Sequence, residues 1–154
     1  IWISWGAEML RGKCSATVDT KGRLKIPSAF KAIFDENYGP DMYITSLDGQ
    51  YARVYPFAEW RKIEDRLAAL SSMDKARNKL LDRTNFWGQM ARMDAQGRIL
   101  IPPQLREDAA VRGEVVVMGY LNHLQVWNAD RFREHLSQEP LADEDLQALS
   151  DKNI

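Results

Sequence analysis

The chain has 154 residues, 45% of them hydrophobic and 28% charged, with a formal net charge of −1. No apolar run approaches the roughly 18 residues needed to span a membrane, and no Pro/Gly/Ser-rich linker or low-complexity stretch divides the sequence. The single cysteine, Cys14, excludes an internal disulfide and fits a reducing compartment or indifference to one.

In chain order, residues 1–8 are apolar but lack a basic n-region and are too short for a signal peptide. Residues 10–31 then hold six basic side chains, Arg11, Lys13, Lys21, Arg23, Lys25 and Lys31, against one acid, Asp19. Ala16-Thr17-Val18 is short and β-prone, and it runs into Asp19-Thr20-Lys21-Gly22. Asp at the first position and Gly at the fourth fit a type I turn that closes a hairpin with a bulge: the Asp bonds its own backbone and the Gly supplies positive φ. Arg23-Leu24-Lys25-Ile26 alternates polar and apolar residues, as a strand with one buried face does. Pro27 stops that strand and pre-sets φ for the first turn of a helix, whose apolar stripe is Phe30, Ile33 and Phe34. A second hairpin follows, from Met42 to Ser46 and from Ala52 to Tyr55, around Asp48-Gly49.

Trp60, Ile63, Leu67 and Leu70 stand at helical spacing with charged residues around them. Ser71-Ser72-Met73-Asp74 interrupts the pattern, and Ala76, Leu80 and Leu81 resume it. Such stripes make core or subunit contacts, and Trp60 and Trp87 suit either.

The first third of the chain then repeats. Asp94-Ala-Gln-Gly97-Arg98-Ile99-Leu100-Ile101-Pro102 matches residues 19–27 at five of nine positions, at a separation of 75. Leu105-Arg106 corresponds to Phe30-Lys31, with Ala109 continuing the helix stripe, and the second hairpin recurs as Val115 to Met118 and Leu124 to Trp127. Residues 53–60 line up with residues 125–132, now at a separation of 72, so the chain is an internal duplication with a three-residue difference in one loop. Asn128 is placed to cap a helix carrying Phe132 and Leu136, Pro140 ends it, and Asp143 caps a last helix with Leu146 and Leu149. Residues 134–154 hold six acids against Lys152.

Each copy is about 48 residues, near the size at which a lone unit struggles to bury enough apolar surface. The two should therefore share one core. We expect strands to pair across copies in an α+β, pseudo-twofold β-barrel with flanking helices. The divisions are residues 1–8, a first unit at 13–60, a helical connector at 61–87, a second unit at 88–131 and an acidic helical tail at 132–154.

A basic turn flanked by basic strands suits a polyanion through phosphate contacts and counterion release, although the same charges also describe ordinary solvated faces. Catalysis finds little support. Only His123 and His135 are present, without Cys or carboxylate partners at metal-ligand spacing, and nothing brings a His to Cys14. Asp19 and Asp94 stand at the first position of matching turns, which favours a structural role over paired acid/base work.

The chain resembles the MraZ family, bacterial transcriptional regulators built from two SpoVT-AbrB-type units. The resemblance rests on Met9-Leu10-Arg11-Gly12, on Asp19-x-x-Gly22-Arg23 and Asp94-x-x-Gly97-Arg98 with the Ile-Pro after each, and on Val54-Tyr55-Pro56. It covers residues 9–150. Leu10 stands where the family often has Phe. Residues 1–8 have no place in the pattern and read as a non-native or upstream-start extension before Met9.

The resemblance implies a double swapped-hairpin (AbrB-like) barrel that assembles into a ring-like homo-oligomer. It implies binding to double-stranded DNA at short, G-rich direct repeats in the promoter of the division and cell-wall gene cluster. It also implies a cytoplasmic, nucleoid-associated place, with no cofactor, metal, membrane or small-molecule substrate.

Arg23 is the DNA-binding residue the resemblance carries over first, and Arg98 is its equivalent in the second copy. Lys21, Lys25 and Lys13 would hold phosphates, and Arg11 strengthens the first copy as a further DNA-binding residue. Gln96 and Leu100 are neutral where Lys21 and Lys25 are basic, so the first copy should carry most of the DNA contact. The alternative for both arginines is a bond within the turn to the motif Asp. Two other functions remain open: a scaffold ring that does not read DNA, and a small antitoxin-like DNA binder, although the latter type normally carries one unit per chain.

Overall fold

A computed structural model describes residues 9–154, so the expectation about residues 1–8 lies outside it. The first copy contains β1 (Lys13–Val18), β2 (Arg23–Lys25), α1 (Ser28–Asn37), β3 (Asp41–Thr45) and β4 (Ala52–Pro56). Helices α2 (Phe57–Ala68) and α3 (Lys75–Phe86) connect it to the second. There β5 (Gln89–Arg92), β6 (Arg98–Leu100), α4 (Pro103–Asp108), β7 (Gly113–Gly119) and β8 (Leu124–Asn128) repeat the order. Helices α5 (Ala129–Gln138) and α6 (Asp143–Ser150) follow.

All eight strands belong to one antiparallel sheet in the order β5-β3-β4-β8-β7-β1-β2-β6. Its two end strands, β5 and β6, are neighbours in sequence and come together, so the sheet nearly closes into a barrel. The copies are swapped, as expected: β1 pairs with β7 of the other copy, and β5 with β3. Strand β2 pairs with its own repeat equivalent β6 about Leu24–Ile99, and β4 with β8 about Arg53–Gln125. The pseudo-twofold axis passes through those two pairs. Around the first, the Ile26 N–H donates to the Gly97 carbonyl at 2.8 Å and the Ile101 N–H to the Gly22 carbonyl at 2.9 Å. Each motif turn is thus tied down by a strand of the other copy.

The alternation in the short strands explains the core. Leu24, Ile26, Ile99 and Ile101 point inward with Met42, Val54, Val117 and Val126, and Phe30, Phe34, Leu105 and Ala109 pack onto them from α1 and α4. One contiguous core serves both copies, which is how units this small bury enough apolar area.

Local readings needed three corrections. The three-residue difference falls mainly in a helix: α4 has 6 residues where α1 has 10, and the connection that follows α4 is one residue longer than the one that follows α1. Pro27 and Pro102 precede their helices as caps with extended ψ, and the Pro27 carbonyl accepts from Phe30 and Lys31. The last helix starts after Ala142, whose N–H donates to Asp145 at 2.9 Å; Asp143 lies already inside it. Of the core or subunit contacts expected of the helical stripes, few lie within one chain. Only Trp60 is buried in α2 and only Thr84 in α3, whereas Leu70, Phe86, Leu136, Leu146 and Leu149 are exposed. Asn128 does cap α5, accepting from the N–H groups of Asp130 and Arg131.

Candidate nucleic-acid interface

The two motif turns have almost the same geometry. Asp19 Oδ1 accepts the backbone N–H groups of Lys21 and Arg23, both at 2.9 Å, and Oδ2 accepts Arg23 Nε at 2.8 Å. Asp94 accepts from Gln96, Arg98 and Arg98 Nε in the same way, each at 2.9 Å. Both carboxyls are held below their ordinary range, first by the backbone N–H of the motif arginine; partial burial opposes that effect, and the arginine side chain adds to it. A carboxylate saturated this way is a turn lock and is poorly placed to take a proton from a substrate.

Both arginines therefore bond within their own turns, which was the alternative to base contact. The recorded side-chain hydrogen bonds of Arg23 and Arg98 run through Nε alone, so each guanidinium is oriented by its Asp without its Nη groups being consumed. The pair is about two-thirds shielded on each side, with side-chain exposures of 33% for Arg23 and 29% for Arg98.

Gly22 and Gly97 occupy φ of +84° and +77°, as the turn requires. A Cβ on Gly97 would come 2.9 Å from Lys31 Cδ, the yielding part of a flexible side chain, whereas one on Gly22 would overlap the Arg106 guanidinium. Gly22→Ala is expected to cost about 1 kcal/mol or more from the φ alone, and more than Gly97→Ala because Arg106 must also move. Urea denaturation midpoints of the two variants test this, and equal losses would show that the Arg106 contact contributes nothing.

The turns sit at opposite ends of the β2–β6 ribbon. Its inward side is Leu24 and Ile99; its other side carries Arg23, Lys25, Arg98 and Leu100. In this register Arg23 faces Leu100 and Lys25 faces Arg98. Like charges directly across a strand pair are destabilising unless an anion lies between or above them. The register also divides Lys25 between the motifs: it follows Arg23 along β2 but stands opposite Arg98. The inequality expected from sequence neighbours is therefore smaller at Lys25 than it looked, and it rests on Lys21, which is exposed at the first turn where the second has Gln96.

Arg11 and Lys13 are not brought to this cluster. Lys13 begins β1 and the turn follows its last residue, so the two are separated by roughly 17 Å at ~3.4 Å per strand residue. Both are exposed there, beyond the reach of the ribbon.

Sequence reasoning missed two basic side chains at the turns. Lys31 lies over Gly97 and Arg106 over Gly22, each from the helix of the other copy. Their correspondence was visible in the repeat, but only the swap shows which turn each one covers.

The opposite pole of the pseudo-twofold is aromatic. Tyr51 stacks on Trp127 with ring centres 4.5 Å apart, Tyr55 stacks on His123 at 4.6 Å, and Arg53 donates to both tyrosine hydroxyls. Cys14 is half-buried on β1 opposite Val117. Among the described residues no group of three or more His, Cys, Asp or Glu could hold a metal, and no helix is long and apolar enough to cross a membrane.

Known proteins share this pattern. A family model described as "MraZ protein, putative antitoxin-like" matches residues 9–83 and 89–152, one segment for each copy. A protein named Transcriptional regulator MraZ from Acidobacterium capsulatum is 48% identical over 93% of this chain and 98% of its own length. One of the same name from Koribacter versatilis is 44% identical over 95% of this chain and all of its own length. Another from Haemophilus influenzae is 31% identical over 85% of this chain and 87% of its own.

Proposed function

The chain belongs to the MraZ family, and from that premise we propose that it is a sequence-specific DNA-binding transcriptional regulator. It binds short G-rich direct repeats, in the promoter of the division and cell-wall gene cluster, as a ring-like homo-oligomer. The named relatives are regulators, and this chain is likewise not an enzyme.

The observation that carries the DNA reading is the outer side of the β2–β6 ribbon. Lys21, Arg23, Lys25 and Arg98 gather there, while the nearby acids Asp19 and Asp94 have their oxygens turned into the turns. A short, two-stranded ribbon fits the major groove, where an arginine can take the O6 and N7 edge of guanine with two donors. Arg23, oriented through Nε, presents its Nη groups for that contact. Lys21 and Lys25 hold phosphates beside it, and Arg11 and Lys13 reach the backbone only where a duplex runs along β1.

Two considerations favour self-association. One ribbon offers few contacts, so affinity must come from several ribbons engaging successive repeats at high effective concentration. The exposed apolar side chains of α3, α5 and α6, Phe86, Leu136, Leu146 and Leu149 among them, supply surface for contact between copies. Such a protein works in the cytoplasm on the nucleoid.

Sequencing the DNA fragments retained by the purified protein, followed by gel shifts of those fragments across salt, tests the proposal. We expect enrichment of G-rich repeats, a shift that needs at least two correctly spaced copies, and an oligomer by light scattering. A ring that retains no fragment above background would favour a scaffold that does not read DNA. A monomer with full affinity for a single repeat would overturn the assembly.

A further inference from the structure

Arg106 reaches across from α4 and lays its guanidinium over Gly22 of the first copy's turn. Its Nε is sealed from solvent without a hydrogen-bond partner, and among the described residues it has no ion pair. Nothing in the chain neutralises this guanidinium, so its charge is left for an anion in the adjoining cleft. Arg106 also lines an open cleft of about 720 Å³ between that turn and α4, with Thr20, Glu107, Arg112 and Asp19 on its walls, the oxygens of Asp19 being engaged within its own turn.

The second turn shows what a neutralised version looks like. Lys31, the repeat equivalent of Arg106, covers Gly97 but is paired with Asp35, Nζ to Oδ2 at 2.6 Å. Four residues on from Arg106, where Asp35 follows Lys31 within α1, stands Ala110, already past the end of α4 at φ +52°, and the equivalent of Thr20 on the second turn is Ala95. The cation over the first turn thus has no counter-ion and a hydroxyl beside it; the cation over the second turn has a counter-ion and no hydroxyl. Glu107, exposed on the cleft wall, forms no ion pair with Arg106.

We propose that the cleft between the first motif turn and α4 binds a phosphate group, held by Arg106 with Thr20 and Arg112. The chemistry suits a phosphodiester of the DNA backbone beside the base edge met by Arg23, or a free phosphate. Insofar as the ligand is DNA, the inference rests on the function proposed above. It makes the first turn the stronger anchor for a reason that sequence neighbours did not contain: the cation comes from the other copy.

The test uses the full chain with Arg106→Met, which keeps cover over Gly22 without the charge, and with Lys31→Met as the paired control. Light scattering and a melting curve verify assembly and folding of each. Binding of a retained duplex and a scrambled duplex of equal length is titrated at several salt concentrations. Arg106→Met should weaken both duplexes alike, roughly eightfold at 0.1 M salt, and lower the salt slope by about 0.9, as for one lost phosphate contact. Lys31→Met should change both by less, because Asp35 already neutralises Lys31. In parallel, inorganic phosphate is titrated calorimetrically into the unmodified protein and into Arg106→Met and Thr20→Ala.

Saturable phosphate binding lost in both variants, with DNA binding unchanged, would assign the site to free phosphate. Unchanged DNA slope together with no Arg106-dependent phosphate binding would overturn the site. If the unmodified protein binds neither duplex, the DNA function falls, and the phosphate titration alone still decides the cleft.

Discussion

Arg23→Ala is expected to lose preference for the retained repeats over scrambled DNA by roughly five- to 150-fold, the about 1–3 kcal/mol of a bidentate arginine–guanine contact. The oligomer should persist, because the ribbon itself is held by Leu24, Ile99 and the cross-copy bonds from Ile26 and Ile101. Arg98→Ala should do less. Its own geometry differs from that of Arg23 by no more than 0.1 Å in each hydrogen bond, so any inequality must come from what surrounds the turns. There the first turn has Lys21 and the uncompensated Arg106, and the second has Gln96 and a Lys31 already paired with Asp35. Lys25 supports both. The measurement is a paired anisotropy titration of the two variants on retained and scrambled duplexes, with light scattering on each. Equal losses of preference, or a greater loss at Arg98, would refute the inequality. A uniform loss on both duplexes for Arg23→Ala would make Arg23 a phosphate contact and not a reader of bases.

Acid should weaken the fold through the other pole. His123 is buried beneath the Tyr55 ring, with Asn122 Oδ1 2.8 Å from Nδ1 and Gln125 and Tyr120 around it. Burial, helped by the Arg53 charge, pushes its pKa down to about 3 from 6.5. Between those values the unfolded chain binds a proton that the folded one does not. The histidine therefore costs no stability above pH 6.5, and the loss grows as pH falls from 6.5 toward 3, by about 1.4 kcal/mol per pH unit. Going from pH 7 to pH 5 should remove roughly 2 kcal/mol in urea denaturation. His123→Phe, which keeps a ring on Tyr55, should flatten that dependence. Asp19 and Asp94 act lower: their depressed carboxyls stabilise the turns above the ordinary carboxylate range, and this is lost only as pH falls through and below it. An unmodified protein equally stable at pH 5 and pH 7 would contradict the burial assigned to His123.

The turns were legible because their chemistry is local. Asp19, Gly22 and Arg23 interact within five residues, so residue type and spacing suffice to place the Asx-type lock and the positive φ. The strands on either side followed from alternation, and the capping of α5 by Asn128 from a side chain and two adjacent N–H groups. Periodicity was less informative about α2, α3, α5 and α6. It located the helices but not what covers them, since Leu146 and Leu149 keep helical spacing whether or not anything packs there.

By itself the sequence determined the duplication, the hairpin-and-helix content of each copy, the lock in each turn and, through copy size, the need for one shared core. Only the tertiary structure decided which side chains meet across the copies. Swapped pairing sets Lys25 opposite Arg98, draws Lys31 over the second turn and Arg106 over the first, and leaves Arg11 and Lys13 at the far end of β1. The physical reason is that register across the pseudo-twofold is fixed by burying Leu24 and Ile99 on one face. The polar residues between them go wherever that apolar match sends them, at distances no local spacing encodes.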